Sequence, residues 1–551
     1  MSRFNSIAAA VRQAASDKAF EVRVLHEAGV LGLHRPDESA KVISAFLRWG
    51  ASPALGITTA AIHYPHEIAL IDERGSLSFE RLQRRSNALA HSFAEMGIGY
   101  GDGIGVMCRN HRGFVETTLA AAKLGASALY LNTMFAGPQL VEVTRREAPK
   151  ALVYDSEFAD LLEGVDDSVA RVVGWVDEGE EVGEPTLEQL IAAGDERNHK
   201  PPPDKPRFVI LTSGTTGTPK GAQRSSPDGL MAIAALIDKI PFRSRETMMI
   251  AAPLFHSWGF FHFIMSLPTA STMVLRRRFD PEGTLQAVQE SRAQVLAAVP
   301  VMVQRILGLP EETLARYDLS SLRITSLSGS ALPGELAIAW MDRFGDTVYN
   351  LYGSTEVAYA TVATPEDLRA APGTAGRPPR GTTVRIVDEA GRELPQGEVG
   401  RIFVGNEMSF EGYTGGGGKE VIDGLLCSGD VGHIDAGGRL FIDGRDDEMI
   451  VSGGENVFPR EVEDLLADHE AIVEAAVIGV EDDEFGQRLK AFVVVRPGTE
   501  IGEDHLKAHV KSNLAGYKTP REIEFLEELP RNATGKVLKR DLHARETQQS
   551  A

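Results

Sequence analysis

The chain has 551 residues, 43% of them apolar and 25% charged, which is typical of a soluble globular protein with two or more domains. Its formal net charge of −21 argues against a nucleic-acid-binding surface and against polybasic attachment to a membrane. The two cysteines, Cys108 and Cys427, form no CxxC motif. We therefore predict neither a disulfide framework nor a structural zinc site, and we expect a cytoplasmic location.

Helical periodicity marks the start of the chain, and we interpret residues 1–60 as an N-terminal helical extension. Strands and helices alternate from about residue 66 to 240, with helices predicted over 79–96 and 114–123. Alternation of this kind indicates an α/β sheet.

A phosphate-binding loop is predicted at Leu211-Thr-Ser-Gly-Thr-Thr-Gly-Thr-Pro-Lys-Gly221, which directly follows the apolar run 208–211. Glycines let backbone N–H groups crowd around an anion, the hydroxyls add donors, and Lys220 adds a positive charge. The loop differs from a Walker A motif because Pro219 stands where that motif has glycine before its lysine. A polar turn after a strand is the alternative interpretation.

Residues 248–275 contain no Asp, Glu, Lys or Arg, and their length alone would allow a membrane span. Pro253, Gly259 and Pro268 interrupt the segment, and its two histidines would need polar partners in lipid. We therefore expect a buried strand–loop–helix segment that lines an apolar substrate tunnel, and no stable membrane span.

The rest of the chain divides into three patterns. A second alternating block runs over 247–365, and the Gly-, Val- and Ile-rich stretch 380–445 indicates a small β-barrel or meander. A compact α+β unit follows, with elements predicted near 460–468, 472–480, 491–495 and 503–514.

Two short motifs follow apolar runs and carry groups suited to a nucleotide. Tyr352-Gly-Ser-Thr-Glu356 presents an aromatic ring, two hydroxyls and a carboxylate, and Mg²⁺ in phosphate sites usually takes one or two carboxylates. Ser428-Gly-Asp430 ends in a carboxylate that can accept both hydroxyls of a ribose. Taken alone, each motif is equally compatible with an ordinary surface turn.

Two further motifs lie in the last quarter of the chain. Residues 444–459, Gly-Arg-Asp-Asp-Glu-Met-Ile-Val-Ser-Gly-Gly-Glu-Asn-Val-Phe-Pro, fall where the composition changes and form a candidate interdomain hinge. Asn532-Ala-Thr-Gly-Lys-Val537 places a lysine in a glycine loop near the end of the chain. A solvated turn and an exposed lysine are the alternative interpretations.

In this order and spacing, the five motifs resemble those of the adenylate-forming superfamily of acyl-CoA synthetases, luciferases and peptide-synthetase adenylation domains. The resemblance covers roughly residues 65 to 545. It implies an α/β fold whose large N-terminal domain, 61–444, has β-sheets flanked by helices plus a small β-barrel. A hinge at 445–448 and a small mobile α+β C-terminal domain at 449–551 complete the implied organisation.

The resemblance also implies the reaction. A carboxylate and ATP give acyl-AMP and pyrophosphate, and the acyl group then passes to a thiol, with ATP, Mg²⁺ and coenzyme A as cofactors. Residues implied to wrap the phosphates are Thr212, Ser213, Gly214, Thr215, Thr216, Gly217 and Lys220. Those implied around the nucleoside are Gly329, Ser330 and Ala331 at adenine, Tyr352 stacked on it next to Gly353, and Asp430 and Arg445 at the ribose.

Catalytic and mobile roles follow from the same comparison. Thr355 is implied to contact the α-phosphate, Glu356 to hold Mg²⁺, and Lys536 to stand as a mobile point charge between α-phosphate and carboxylate. Asp447 would be the pivot of a rotation that withdraws Lys536. That rotation would bring in Gly453 and Gly454, which leave room for a pantetheine arm, and Phe485, which would touch CoA.

The acid substrate is inferred from the charge-free segment. Phe255 is followed by His256, where peptide-synthetase domains use Asp to hold an amine, so an amino acid is not expected. The aromatic residues around His256 indicate an apolar pocket that His256 would gate, although a buried core histidine is the alternative. We expect a medium- or long-chain fatty acid as substrate, with an aryl- or cinnamoyl-CoA ligase as the alternative and a nucleotide-binding pseudoenzyme as a remote one. A homodimer is possible.

Overall fold

The computed structural model describes residues 2–32, 35–203, 208–212, 220–224, 230–354, 356–408, 410–413, 418–452, 455–482, 486–532 and 535–550. Four β-sheets organise these residues. The helices, in chain order, are α1 (Ser2–Glu27), α2 (Pro36–Trp49), α3 (Pro53–His63), α4 (Phe79–Glu95), α5 (Arg112–Leu124), α6 (Gly137–Glu147), α7 (Leu187–Ala193), α8 (Met231–Lys239), α9 (Ser257–Ser266), α10 (Pro281–Ser291), α11 (Pro300–Leu307), α12 (Glu311–Leu314), α13 (Gly334–Phe344), α14 (Pro365–Ala370), α15 (Pro459–Ala467), α16 (Glu503–Asn513) and α17 (Lys539–Ser550).

The largest sheet has eight strands and is parallel except at its two edges. Its strands are β1 (Ile68–Asp72), β2 (Gly75–Ser78), β9 (Thr247–Ile250), β10 (Thr272–Leu275), β11 (Val295–Ala298), β12 (Ile324–Leu327), β13 (Val348–Tyr352) and β14 (Thr361–Ala363). They lie in the order β14-β13-β12-β11-β9-β10-β1-β2. The central strands β11 and β12 are buried along their whole length, as expected where helices cover both faces of a parallel sheet.

A second sheet has seven strands and shares a hydrophobic core with the first. Its strands are β3 (Gly103–Met107), β4 (Ser127–Tyr130), β5 (Ala151–Asp155), β6 (Ala170–Trp175), β7 (Phe208–Thr212), β8 (Lys220–Arg224) and β17 (Phe410–Tyr413), in the order β17-β8-β7-β4-β3-β5-β6. Phe114 of α5 meets Phe263 of α9 edge-on, with ring centroids 6.4 Å apart, so that aromatic packing joins the two sheets.

Two smaller sheets follow. The first is antiparallel and contains β15 (Thr383–Val387), β16 (Gly400–Gly405), β18 (Val421–Ile422), β19 (Leu425–Ile434) and β20 (Leu440–Arg445). The last contains β21 (Ile450–Ser452), β22 (Glu455–Val457), β23 (Ile472–Asp482), β24 (Gly486–Val495) and β25 (Glu522–Leu526). A single 3₁₀ turn, Asp446–Glu448, connects them.

The N-terminal helices pack against the first sheet system. Pro36 begins α2, acidic residues occupy its first turn and Arg48 its last, an arrangement that favours helix formation at both ends. Ser52 caps α3 by accepting a hydrogen bond from the Leu55 amide at 3.4 Å. The backbone amide of Ser244 donates to Ala28 O at 2.7 Å, which holds the end of α1 beside the segment after α8.

The α/β class predicted from the sequence is confirmed, with large sheets followed by a smaller C-terminal unit. The charge-free segment 248–275 forms β9, α9 and β10, which confirms the predicted buried strand–loop–helix arrangement. None of the helices in the described ranges has both the length and the apolar character needed to cross a bilayer.

Candidate active site

A cavity of about 1630 Å³ lies where the large sheets, the N-terminal helices and the C-terminal unit meet. It is lined by ten of the residues predicted to form the site: His256, Gly329, Ser330, Ala331, Tyr352, Gly353, Glu356, Asp430, Arg445 and Lys536. Gly329 and Tyr352 lie at the carboxyl ends of β12 and β13, the edge where open α/β sheets bind ligands.

Other predicted residues are placed only in part. Thr212 ends β7 opposite Lys220 at the start of β8, and Asp447 lies in the 3₁₀ turn between the two smaller sheets. Outside the described residues lie Ser213, Gly214, Thr215, Thr216, Gly217, Thr355, Gly453, Gly454 and Phe485. Their roles stay predictions.

A buried hydrogen-bonded cluster centres on Asp430. Tyr352 Oη donates to Asp430 Oδ2 at 2.5 Å, and Arg445 Nη1 donates to Asp430 Oδ1 at 3.3 Å. Burial raises the pKa of Asp430 above its ordinary value, although Arg445, Tyr352 and Lys536 each act to lower it. Burial and the neighbouring Asp430 raise the pKa of Tyr352, so its hydroxyl stays protonated and donates. Each carboxylate oxygen keeps a further lone pair, so Asp430 can still accept hydroxyls of a ribose.

For the ATP-dependent reaction that the sequence resemblance implies, replacing Tyr352 with phenylalanine is expected to raise the KM for ATP about five- to tenfold with little change in kcat. The ring remains, but Asp430 loses a hydrogen bond to a charged group, which is worth roughly 1 kcal/mol or somewhat more. Steady-state kinetics with varied ATP would measure the change. Tyr349→Phe on the same strand is the matched control, because Tyr349 lies outside the cavity lining. A lowered kcat with unchanged KM would contradict a role in nucleotide binding.

Glu356 is oriented by its own loop. Ser354 Oγ donates to Glu356 Oε2 at 2.8 Å, while the backbone amides of Glu356 and Val357 donate to Ser354 Oγ at 3.2 and 3.3 Å. A Cβ on Gly353 would lie 2.2 Å from Ala358 O, so the tight return of this loop requires glycine. The result is a fixed carboxylate on the cavity wall. Such an oxygen donor, together with substrate phosphates, suits Mg²⁺.

Lys536 reaches the cavity on a loop that packs against the large domain. The backbone amide of Lys536 donates to Asn532 Oδ1 at 2.9 Å, and the Gly535 amide donates to Asn532 O at 2.9 Å. Gly535 is buried with φ +78°, and a Cβ there would lie 2.2 Å from Val301 Cγ1 of α11. This close approach places Lys536 near enough to act electrostatically on Asp430.

A second lysine connects the start of the C-terminal unit to its last helix. Lys539 Nζ lies 2.9 Å from both Glu448 Oε2 and Glu463 Oε1. Burial acts to lower the pKa of Lys539, but the two carboxylates raise it above its ordinary value, so the lysine stays charged. Lys539 therefore fixes α17 and the loop before it against residue 448, the last residue of the 3₁₀ turn.

His256 faces an apolar part of the same cavity. Burial lowers its pKa to about 4, so the imidazole is neutral near pH 7. Within the described residues, His256 Nε2 has no hydrogen-bond partner, which leaves that nitrogen available to a ligand. Beside it, Trp258 and Phe261 of α9 stack at 5.3 Å with an interplanar angle of 8° and line the cavity.

Two contributors to the cavity were not identified from the sequence. Lys419 Nζ and Arg445 Nη2 both lie 3.4 Å from the position that a Cβ on Gly429 would occupy. Gly429 directly precedes Asp430, so Lys419 adds a positive charge near that carboxylate. It follows a glycine run that carried no motif, and only the folded chain brings it to the site. The N-terminal helices α1–α3 also line the cavity, which their helical periodicity alone could not indicate.

Comparison with known proteins assigns most of the chain to recognised family models. A model described as AMP-binding enzyme matches residues 57–414, and one described as AMP-binding enzyme C-terminal domain matches residues 461–536. A feruloyl-CoA synthase of Amycolatopsis sp is 33% identical over 494 residues, covering 87% of this chain and 96% of that protein. An indoleacetate–CoA ligase of Aromatoleum aromaticum is 32% identical, covering 87% of this chain and 95% of that protein.

Among solved structures, the anthranilate CoA ligase AuaEII in complex with anthranoyl-AMP superposes with a TM-score of 0.82. It is 25% identical, and the match covers 91% of this chain and 98% of that chain. The similarity therefore extends over both the large sheets and the C-terminal unit.

Proposed function

This chain belongs to the AMP-binding enzyme family and is an AMP-forming acid–thiol ligase, and on that premise we propose that it joins an aryl or arylalkenyl carboxylic acid to coenzyme A. The observation that carries the choice of acid is the aromatic wall that the stacked rings of Trp258 and Phe261 contribute to the cavity that His256 also lines. A planar ring stacks well on such a surface. The named relatives act on feruloyl and indoleacetate groups, which supports the same choice over a fatty acid.

We propose the following roles in the first half-reaction. The acid carboxylate attacks the α-phosphorus of ATP, pyrophosphate leaves, and acyl-AMP forms. Two anions must approach each other, so catalysis consists mainly of positioning and of neutralising charge. Lys536 would neutralise the carboxylate and α-phosphate, while Asp430 and Arg445 would hold the ribose. The neutral Nε2 of His256 would hydrogen-bond the bound acid, and the aromatic wall would exclude water from its ring.

Mg²⁺ fits the same arrangement, because Glu356 presents an oriented carboxylate at the cavity. We propose that Glu356 and the ATP phosphates would hold the ion, which would offset the negative charge of the triphosphate when bound. The phosphate loop 212–220 would surround the β- and γ-phosphates.

The second half-reaction transfers the acyl group to the CoA thiol. We propose that residues 449–551 rotate about the hinge 445–448, with Asp447 as pivot, so that Lys536 withdraws and Gly453, Gly454 and Phe485 approach the site. The thiolate then attacks the acyl carbon, the thioester C–S bond forms, and AMP leaves with the electron pair of the C–O bond. A medium- or long-chain fatty acid remains the second candidate, because much of the cavity wall is aliphatic.

A substrate panel distinguishes the two acids. Pyrophosphate release should be measured with ATP, CoA and cinnamic, ferulic, indole-3-acetic, octanoic or hexadecanoic acid. We expect kcat/KM to be at least about tenfold higher for the best ring acid than for the best alkanoic acid, because planar stacking adds to apolar burial. The opposite order would support the fatty-acid candidate and contradict the aryl proposal. His256→Ala should lower kcat/KM for the preferred acid without changing the KM for ATP.

A further inference from the structure

The cavity continues past the proposed ring site to the N-terminal helices. On α3, the lining residues recur every three or four positions and so form one face of the helix. They are Pro53, Leu55, Gly56, Thr59, Ala60 and His63, and the capping residue Ser52 lines the cavity as well. A Cβ on Gly56 would lie 2.7 Å from Leu267 Cβ, so glycine allows α3 to pack closely against the end of α9. One face of α3 is therefore built into the wall next to the aromatic helix.

Helices α1 and α2 extend this wall. Leu25 of α1 and Val42 and Phe46 of α2 line the cavity together with Ile233 and Leu236 of α8. Two charged residues of α1, Lys18 and Glu21, also line the cavity. They form a salt bridge with each other, with Lys18 Nζ 2.7 Å from Glu21 Oε1. The wall made by the N-terminal helices is thus mainly apolar, and it is continuous with the cavity that holds Tyr352 and Asp430.

Most of this wall lies outside the family match. The AMP-binding model begins at residue 57, after α1, α2 and the first turn of α3. The feruloyl-CoA synthase is matched over 96% of its own length, whereas 87% of this chain is covered. The residues before position 57 therefore supply part of a substrate cavity whose remainder lies within the family match.

We propose that helices α1–α3 form the distal end of the acid-binding cavity and that the acid carries an extended apolar group beyond its ring, which reaches Val42 and Phe46. The inference rests on the proposed ligase function and specifies its substrate class further. The cavity of about 1630 Å³ includes the proposed nucleotide site as well as the acid site, and its part beside α1–α3 is lined mainly by apolar residues. Phe46 is 55% exposed, so an apolar group of the acid that covers it would remove apolar surface from water.

Adjacent residues of α2 provide a matched test. Val42 lines the cavity, whereas Ile43 is 62% exposed and lies outside the lining. Val42→Trp adds an indole ring on the cavity side of α2, and Ile43→Trp adds the same ring one residue further along, on the solvent side. Pyrophosphate release should be measured for wild type and both variants with cinnamic acid and with 4-octyloxycinnamic acid, whose octyl chain extends the ring.

We expect wild type to prefer 4-octyloxycinnamic acid at least about tenfold in kcat/KM, because the octyl chain buries apolar surface. Val42→Trp should lose at least about tenfold on this acid alone, while its kcat/KM for cinnamic acid and its KM for ATP stay within about twofold. Ile43→Trp should match wild type on both acids. If Val42→Trp does not fold, Thr59→Phe on the lining face of α3 provides a second obstruction, with Ile62→Phe as its control.

Two results would overturn the inference. One is a wild-type enzyme that uses cinnamic acid but not the octyloxy derivative, and the other is an equal loss on both acids in Val42→Trp. Failure of the proposed function looks different, because wild type would then use neither ring acid. In that case octanoic and hexadecanoic acids replace the two cinnamic acids as test substrates, and Val42→Trp should lose activity on hexadecanoic acid alone. An equal loss on both alkanoic acids would also overturn the inference.

Discussion

Replacing Lys536 with alanine is expected to slow the formation of acyl-AMP more than about 10²-fold, equivalent to roughly 3 kcal/mol in the transition state. Lys536 lines the cavity and acts electrostatically on Asp430, and in the proposed first half-reaction its ammonium group neutralises the two reacting anions. Thioester formation from supplied acyl-AMP should survive, because in the proposed rotation Lys536 has already left the site. Pyrophosphate exchange measures the first half-reaction, and CoA consumption from acyl-AMP measures the second.

Lys511→Ala is the matched control for this experiment. Lys511 lies in the last turn of α16 in the same C-terminal unit, is exposed, and lies outside the cavity lining. The control removes one positive charge from the unit and should leave both half-reactions unchanged. Equal losses of both half-reactions in Lys536→Ala would contradict the proposed rotation about 445–448.

Several parts of the site were predictable because their determinants are local. Apolar runs followed by glycine and polar groups identify the ends of parallel strands, and such ends gather at one edge of a sheet. The structure accordingly brings Gly329, Tyr352 and Glu356 to a common cavity. The helices predicted over 79–96 and 460–468 correspond to α4 and α15, because their apolar residues recur with the helical period.

Other parts depend on contacts between distant residues and left no local pattern. The hydrogen bond from Tyr352 to Asp430 joins residues 78 positions apart, and it changes how both side chains can serve a nucleotide. The resemblance implied that Tyr352 stacks on adenine and that Asp430 binds ribose, but the sequence contains no signal that the two residues contact each other. Lys419 was not predicted as a site residue for the same reason, because only the folded chain brings it beside Arg445.

The acid substrate is the part that the local pattern defined least. A charge-free segment predicts an apolar pocket, and both an alkyl chain and an aromatic ring satisfy that prediction. The proposal of a ring acid rests on geometry instead, since Trp258 and Phe261 stack nearly parallel on one helix face. The size of the pocket depends on α1–α3, whose apolar periodicity predicted helices without indicating which surface they cover.

Replacing Gly535 with alanine is expected to slow acyl-AMP formation about 10- to 100-fold by displacing the lysine loop. The new Cβ would lie 2.2 Å from Val301 Cγ1, and the residue has φ +78°. The left-handed conformation costs an L-residue roughly 1–2 kcal/mol, and overpacking adds about 1–3 kcal/mol. Undocking the loop relieves both costs, so the docked state that presents Lys536 becomes less populated. Pyrophosphate exchange measures the effect, and thioester formation from acyl-AMP should be retained.

The contact itself can be isolated by also shortening Val301. Val301→Ala removes the atom at 2.2 Å and leaves Val301 Cβ at 3.2 Å as the nearest neighbour. The double variant Gly535→Ala/Val301→Ala should therefore recover about tenfold of the lost rate but not all of it, because the backbone cost at φ +78° remains. No recovery would assign the whole loss to the backbone of the loop. An equal loss of thioester formation in Gly535→Ala would show that the loop is damaged in both orientations, and docking through Val301 would then not be what presents Lys536.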